Sequence, residues 1–311
     1  MTADHPVFFS AGSETLFGVL THPSGVPHGG LCAVILAGGG YTVTSHYNRV
    51  NYDLGRSLVA QGGAVFRFSY HGVENSSGRL EATRLDRPFL TDLGGALTWL
   101  RGRGYTGFVL IGSCFGARTA LSGYPHEADV RGLVLIAPST HDHDRLEAGA
   151  EVLVSEASNR ELLSRALRSF RLRDLADAGR RRQYGRFIRA KAKALRRRAG
   201  GALGRPDHLA LHGATESFLQ PLEEAVRRRT PVLFVYGTTD WFGTEFRRAL
   251  ERGRLADLVH RASGLIEVAE VEGNVHGLSR LVVQAEVRSL IAGWYGRRFA
   301  GSFDPAGASF Q

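Results

Sequence analysis

Through the first half of the chain, apolar residues fall into short unbroken runs separated by stretches with helical spacing. Val7-Phe8-Phe9 and Leu16-Phe17-Gly18-Val19-Leu20 predict an opening pair of strands around a turn at Ala11-Gly12-Ser13. Leu31 to Ala37 is continuously apolar and ends in Gly38-Gly39-Gly40, the pattern of a strand buried on both faces. Val50, Leu54, Leu58 and Val59 share one helix face, and Gln61-Gly62-Gly63 closes that helix. Ala64 to Phe68 reads as the next strand, and Phe89 to Leu100 as a helix with Leu93, Leu97 and Leu100 on one side. Strands at Phe108–Ile111 and Val130–Ile136 follow. Repeated strand–helix units of this length predict an α/β fold: a mostly parallel sheet with helices on both faces.

That rhythm stops between His141 and Arg229, a helix-prone basic stretch too long for a structureless loop in a compact domain. It resumes with a strand at Pro231–Gly237, a helix from Phe246 to Leu258, a last strand at Ile266–Val271 and a helix from Leu278 to Arg297. The organisation expected is a core of residues 1–140 and 230–299, a helical lid insertion at 141–229, and a loose small-residue tail at 300–311.

Composition narrows the class. The 311 residues are 43% hydrophobic and 22% charged, ordinary values for a globular protein. No apolar run reaches membrane-spanning length, and the first residues lack the charged and apolar regions of a signal peptide, so a cytoplasmic protein is expected. Two cysteines, Cys32 and Cys114, exclude a disulfide framework. Cys32 sits inside an apolar run and reads as a small core residue.

The net charge of +9 is local: fourteen Lys/Arg against Asp174 and Asp177 give residues 165–198 a charge of +12, leaving −3 elsewhere. Such a segment is either a solvated helical face or a docking surface for an acidic partner, such as an acyl carrier protein or the phosphates of coenzyme A. It lacks the interleaved aromatics of a nucleic-acid platform, so nucleic acid is not an expected partner.

The chemistry centres on Gly112-Ser113-Cys114-Phe115-Gly116, which joins a predicted strand to a helix-compatible segment. The pattern has the shape of a nucleophile elbow, in which flanking glycines permit a sharp strand-to-helix turn. Asp240 follows a later strand, and His276 follows the last one in Gly273-Asn274-Val275-His276-Gly277. The order nucleophile, acid, histidine is that of the α/β-hydrolases, which the sequence resembles over residues 7–297. It is most similar to the serine-aminopeptidase-like branch that carries a helical lid, with the cysteine elbow of dienelactone hydrolases.

The resemblance implies a triad of Cys114 as nucleophile, His276 as general base and Asp240 as its orienter. Asp142 and Asp144, after an earlier strand, offer an alternative position for the acid. An oxyanion hole is expected from the backbone N–H of Phe115 with one of Gly39, Gly40 or Tyr41, in a loop where Ala37 replaces the family's usual histidine. His46 and His71 are expected either to line the pocket entrance or to sit in loops. No cofactor is implied, and His141-Asp142-His143-Asp144 reads as a solvated loop rather than a metal site.

A cysteine nucleophile forms a thioester intermediate, so thioesters, lactones and activated esters are favoured over peptides and triglycerides. The function expected is a thioesterase, activated-ester hydrolase or acyltransferase, in keeping with specialised metabolism. The alternatives are a lactone-opening or eliminating enzyme using the same site, and a non-catalytic binding protein on this fold.

Overall fold

Two residues of tight turn fold the start of the chain into a hairpin. Strands Thr2–Ala11 (β1) and Glu14–Pro23 (β2) pair antiparallel, with Gly12 at φ 59 in the connection. Phe9, Ala11, Leu16 and Leu20 go to the core. The computed structural model describes residues 2–23, 29–38, 42–80, 84–86, 88–142 and 213–299.

The remaining strands are Gly30–Leu36 (β3), Ala64–Phe68 (β4), Tyr105–Ser113 (β5), Val130–Ile136 (β6), Val232–Gly237 (β7) and Ile266–Val271 (β8). Together the described strands form one eight-stranded sheet in the order β1-β2-β4-β3-β5-β6-β7-β8. From β4 to β8 all pairings are parallel, while β1 and β2 attach antiparallel at one edge. The reversal of order around β3 brings the ends of β3 and β5 together, the place where open α/β sheets bind ligands.

The described α-helices are Val50–Val59 (α1), Leu90–Arg101 (α2), Phe115–Gly123 (α3), Glu216–Arg227 (α4), Trp241–Ala249 (α5), Arg254–Arg261 (α6) and Leu281–Phe299 (α7). Their buried stripes cover a sheet whose central strands are apolar throughout: Cys32 to Leu36 and Phe108 to Ile111 are almost wholly inaccessible. Each such Val, Leu or Phe contributes about 1.5–3 kcal/mol by leaving water.

Two local outcomes differ from the sequence pattern. The helix expected from Phe246 to Leu258 is two helices, because Gly253 takes φ 97 between them and the first begins earlier, at Trp241. That earlier start places Asp240 at the helix N-cap. Helix α4, which the sequence pattern put inside the insertion, packs on α3 with Phe218, Leu219, Leu222 and Ala225 buried.

The chain divides into a unit of Met1–Asp142 with His212–Gln311 and a unit of His143–Leu211. Asp144, the basic run 165–198, Gly39, Gly40 and the tail 300–311 lie outside the described residues. Among the described residues, no helix is long and apolar enough to cross a membrane.

Candidate active site

Cys114 stands between the last residue of β5 and the first of α3, at φ 51 and ψ −111. A non-glycine residue at positive φ costs of order 1–3 kcal/mol and persists only where its surroundings impose it. Here they do. The Cys114 N–H donates to the Ile136 carbonyl at 2.8 Å, continuing the β5–β6 ladder, and the Cys114 carbonyl accepts from Arg118 N–H at 3.2 Å, opening the helix.

The flanking glycines are required by contact. A Cβ on Gly112 would lie 2.3 Å from the Gly116 carbonyl carbon, and one on Gly116 would lie 2.4 Å from the Ala37 carbonyl oxygen. Strand, corner and helix thus pack backbone against backbone, which lifts the Cys114 side chain onto the carboxyl edge of the sheet. The thiol is buried but reachable, unlike Cys32, which is wholly enclosed in β3.

The His276 imidazole meets this thiol: its Nε2 lies 2.9 Å from Cys114 Sγ. The Phe242 ring packs edge-on against the imidazole at 4.7 Å between centroids, restricting its plane. Asp240 is fully buried, and its carboxylate holds the backbone that carries the histidine. One oxygen accepts from the N–H groups of Val275 (2.9 Å) and His276 (3.3 Å), and the other from Gly237 (2.8 Å). Burial pushes the Asp240 carboxyl above its ordinary value, while these backbone bonds and the nearby imidazole pull it down. The three residues that the sequence singled out therefore converge.

Asp142 is engaged elsewhere. It receives Arg118 Nη2 at 2.5 Å and the Ser217 hydroxyl at 2.6 Å, tying the end of the β6 loop to the start of α4. Arg118 itself is completely buried and also donates to the Ser139 carbonyl, with its guanidinium over the Phe218 ring. His141 Nδ1 lies 3.3 Å from Glu245 Oε1, which also accepts from the Ser139 and Thr140 hydroxyls. Among the described residues, no group of three or more His, Cys, Asp or Glu is arranged to hold a metal ion.

His46 is buried beside Gly38, with its Nε2 3.4 Å from where a Gly38 Cβ would be, and burial drives the ring down to about 4. His71 pairs through Nδ1 with Asp92. Gly39, Gly40 and Tyr41, expected as oxyanion donors, lie outside the described residues; Phe115 opens α3, whose first N–H groups have no acceptor within the helix.

Sequence reasoning missed Arg118, Glu245, Asp92 and Phe242. Each makes its contacts through side chains distant in sequence, so no local spacing announced them. The cue available was a charge in a predicted buried helix, as with Asp92 and Arg118.

No family model matches the chain, and no curated protein does. Solved structures match over nearly its full length. An esterase from Pyrococcus furiosus superposes with a TM-score of 0.61 at 14% identity, covering 95% of this chain and 93% of that one. A proline iminopeptidase from Mycobacterium smegmatis gives 0.56 at 15% identity, covering 94% and 98%. Est1E from Butyrivibrio proteoclasticus, solved with ferulic acid bound, gives 0.56 at 13% identity, covering 94% and 99%. At such identities the likeness establishes the fold: this chain has the α/β-hydrolase fold, with β1 and β2 on the edge of a parallel sheet.

Proposed function

We propose that the protein is an acyl-processing enzyme, a hydrolase or acyltransferase acting on thioesters and activated esters through a covalent intermediate on Cys114. The observation that carries this reading is the 2.9 Å pairing of His276 Nε2 with Cys114 Sγ at a backbone-strained corner. A thiol placed merely for packing needs neither the strain nor the imidazole.

In the reaction, the thiol proton passes to His276 Nε2 and the thiolate attacks the substrate carbonyl carbon. The carbonyl electron pair moves onto oxygen, where the Phe115 N–H and a second donor from the loop after β3, one of Gly39, Gly40 or Tyr41, stabilise it. Collapse breaks the bond to the leaving group, which takes the proton from His276. Water or an acceptor then loses a proton to His276, adds to the acyl-enzyme, and releases the thiol. Asp240 holds the histidine loop in register and stabilises the imidazolium that forms.

Sulfur decides the substrate class. Exchange of one thioester for another is close to even in energy, whereas drawing an acyl group from an alkyl ester or amide onto sulfur runs uphill. The basic segment 165–198 fits an acidic carrier of such thioesters, an acyl carrier protein or coenzyme A. Intact-mass spectrometry after incubation with acyl thioesters tests the reading: an acyl increment on Cys114, absent from Cys114→Ala, is expected. Turnover undiminished in Cys114→Ala overturns it.

A further inference from the structure

A second imidazole is held at the same edge of the sheet by a carboxylate taken out of water. Asp92 lies in the first turn of α2 with only 4% of its side chain exposed. It accepts the His71 backbone N–H at 2.8 Å, and His71 Nδ1 lies 3.0 and 2.9 Å from its two oxygens. Keeping a carboxylate buried costs several kcal/mol unless its bonds compensate. Closing the loop after β4 needs only the backbone bond; the ring bond fixes a proton on Nδ1 and orients the imidazole.

The orientation of the ring follows from what surrounds it. Nδ1 faces buried Asp92, and the ring packs on Phe89 at 4.4 Å between centroids. The side chain nevertheless keeps 18% of its surface accessible, and Nε2 is the ring nitrogen that Asp92 does not engage. Phe89 continues to Phe115, the neighbour of Cys114, at 5.0 Å.

Strand register sets the distance. Leu36 of β3 pairs with Phe68 of β4 on one side and Gly112 of β5 on the other. His71 is three residues beyond Phe68 and Cys114 two beyond Gly112, on parallel strands separated by β3. Two inter-strand spacings separate the ends of β4 and β5, from which these residues extend, by roughly 10 Å.

We propose that His71 Nε2 hydrogen-bonds a hydroxyl on the acyl part of the substrate and so determines specificity. This rests on the acyl-processing reading and names its substrate class: acyl groups with a hydroxyl about six bonds from the scissile carbonyl. A hydroxyl both donates and accepts, so it suits Nε2 in either protonation state of the ring.

The experiment compares 6-hydroxyhexanoyl and heptanoyl thioesters of N-acetylcysteamine, matched in length, on the full chain. The unmodified protein is expected to favour the hydroxylated substrate about tenfold in kcat/KM, the worth of one hydrogen bond. His71→Phe is expected to erase that preference while leaving heptanoyl turnover and the alkylation rate of Cys114 unchanged. His71→Asn, whose side-chain amide can still donate to Asp92, is expected to lose it as well. No preference in the unmodified protein, or an equal fall on both substrates in both variants, overturns the proposal. Failure of both thioesters to acylate Cys114 overturns the acyl-processing reading itself.

Discussion

Cys114 and His276 stand 162 positions apart in sequence, yet their reactive atoms lie 2.9 Å from one another. Two constructions meet to give that distance. The strand–corner–helix around Cys114 is fixed by glycine contacts, and the histidine loop is fixed by two backbone bonds to Asp240, whose other oxygen is anchored to the end of β7 at Gly237.

Selective alkylation reads the first consequence. An imidazole at hydrogen-bond distance draws the thiol toward thiolate, the reactive form. Cys32, by contrast, is enclosed and its thiol is pushed up by burial. Iodoacetamide at neutral pH is expected to give one adduct, on Cys114, with Cys32 unmodified until the protein unfolds. His276→Gln is expected to slow that adduct at least tenfold. An equal rate in the variant would separate the imidazole from the reactivity of the thiol.

The two candidate acids are separated by substitution. Asp240→Asn replaces an acceptor oxygen with a donor facing backbone N–H groups, and an unsatisfied buried group costs about 1–3 kcal/mol. It is expected to lower kcat at least a hundredfold. Asp142→Asn, whose partners are Arg118 and Ser217, is expected to lower stability while leaving kcat within a fewfold of the unmodified value. The reverse pattern of kcat losses would assign the acid role to Asp142.

Much of this was legible before any coordinates. Apolar runs at Leu31–Ala37 and Phe108–Ile111 mark buried strands because parallel strands are covered on both faces. The corner at Cys114 was legible because its glycines are demanded by backbone contact, and the placement of Asp240 and His276 because both follow strands at the carboxyl edge of the sheet. Helix α4 escaped because it follows a long basic stretch, and its buried face became meaningful only against α3. The break at Gly253 escaped because helical spacing runs straight through it. The Arg118–Asp142 pair escaped because a buried ion pair leaves no periodic trace.

Glycine contacts give paired predictions of opposite sign. In α2, a Cβ at Gly94 meets nothing closer than Glu127 Oε1 at 3.9 Å, whereas one at Gly95 would lie 2.5 Å from Ala11 Cβ. Gly94→Ala is expected to stabilise by up to about 1 kcal/mol through the helix propensity of alanine. Gly95→Ala is expected to destabilise by about 1–3 kcal/mol, since β1 must move away from α2. Urea unfolding midpoints check both; destabilisation by the first or stabilisation by the second would contradict the packing of α2 on β1.

His46 sets a pH dependence with a definite sign. Burial lowers its folded value to about 4, against 6.5 for a free imidazole. Above pH 6.5 the ring is neutral in folded and unfolded chains alike and contributes nothing. As pH falls below 6.5 the unfolded chain takes up a proton that the native state refuses until about pH 4, so stability is lost across that window. By pH 4.5 the loss is about 2.5 kcal/mol. Asp92 and Asp240, raised by burial, act in the opposite sense, because the native state binds their protons first as pH falls. The comparison is therefore between the unmodified protein and His46→Gln, by urea unfolding at pH 7 and pH 4.5. The variant is expected to lose about 2.5 kcal/mol less over that interval. Parallel losses in the two proteins would mean that water reaches the ring and that the loop after β3 is open around it.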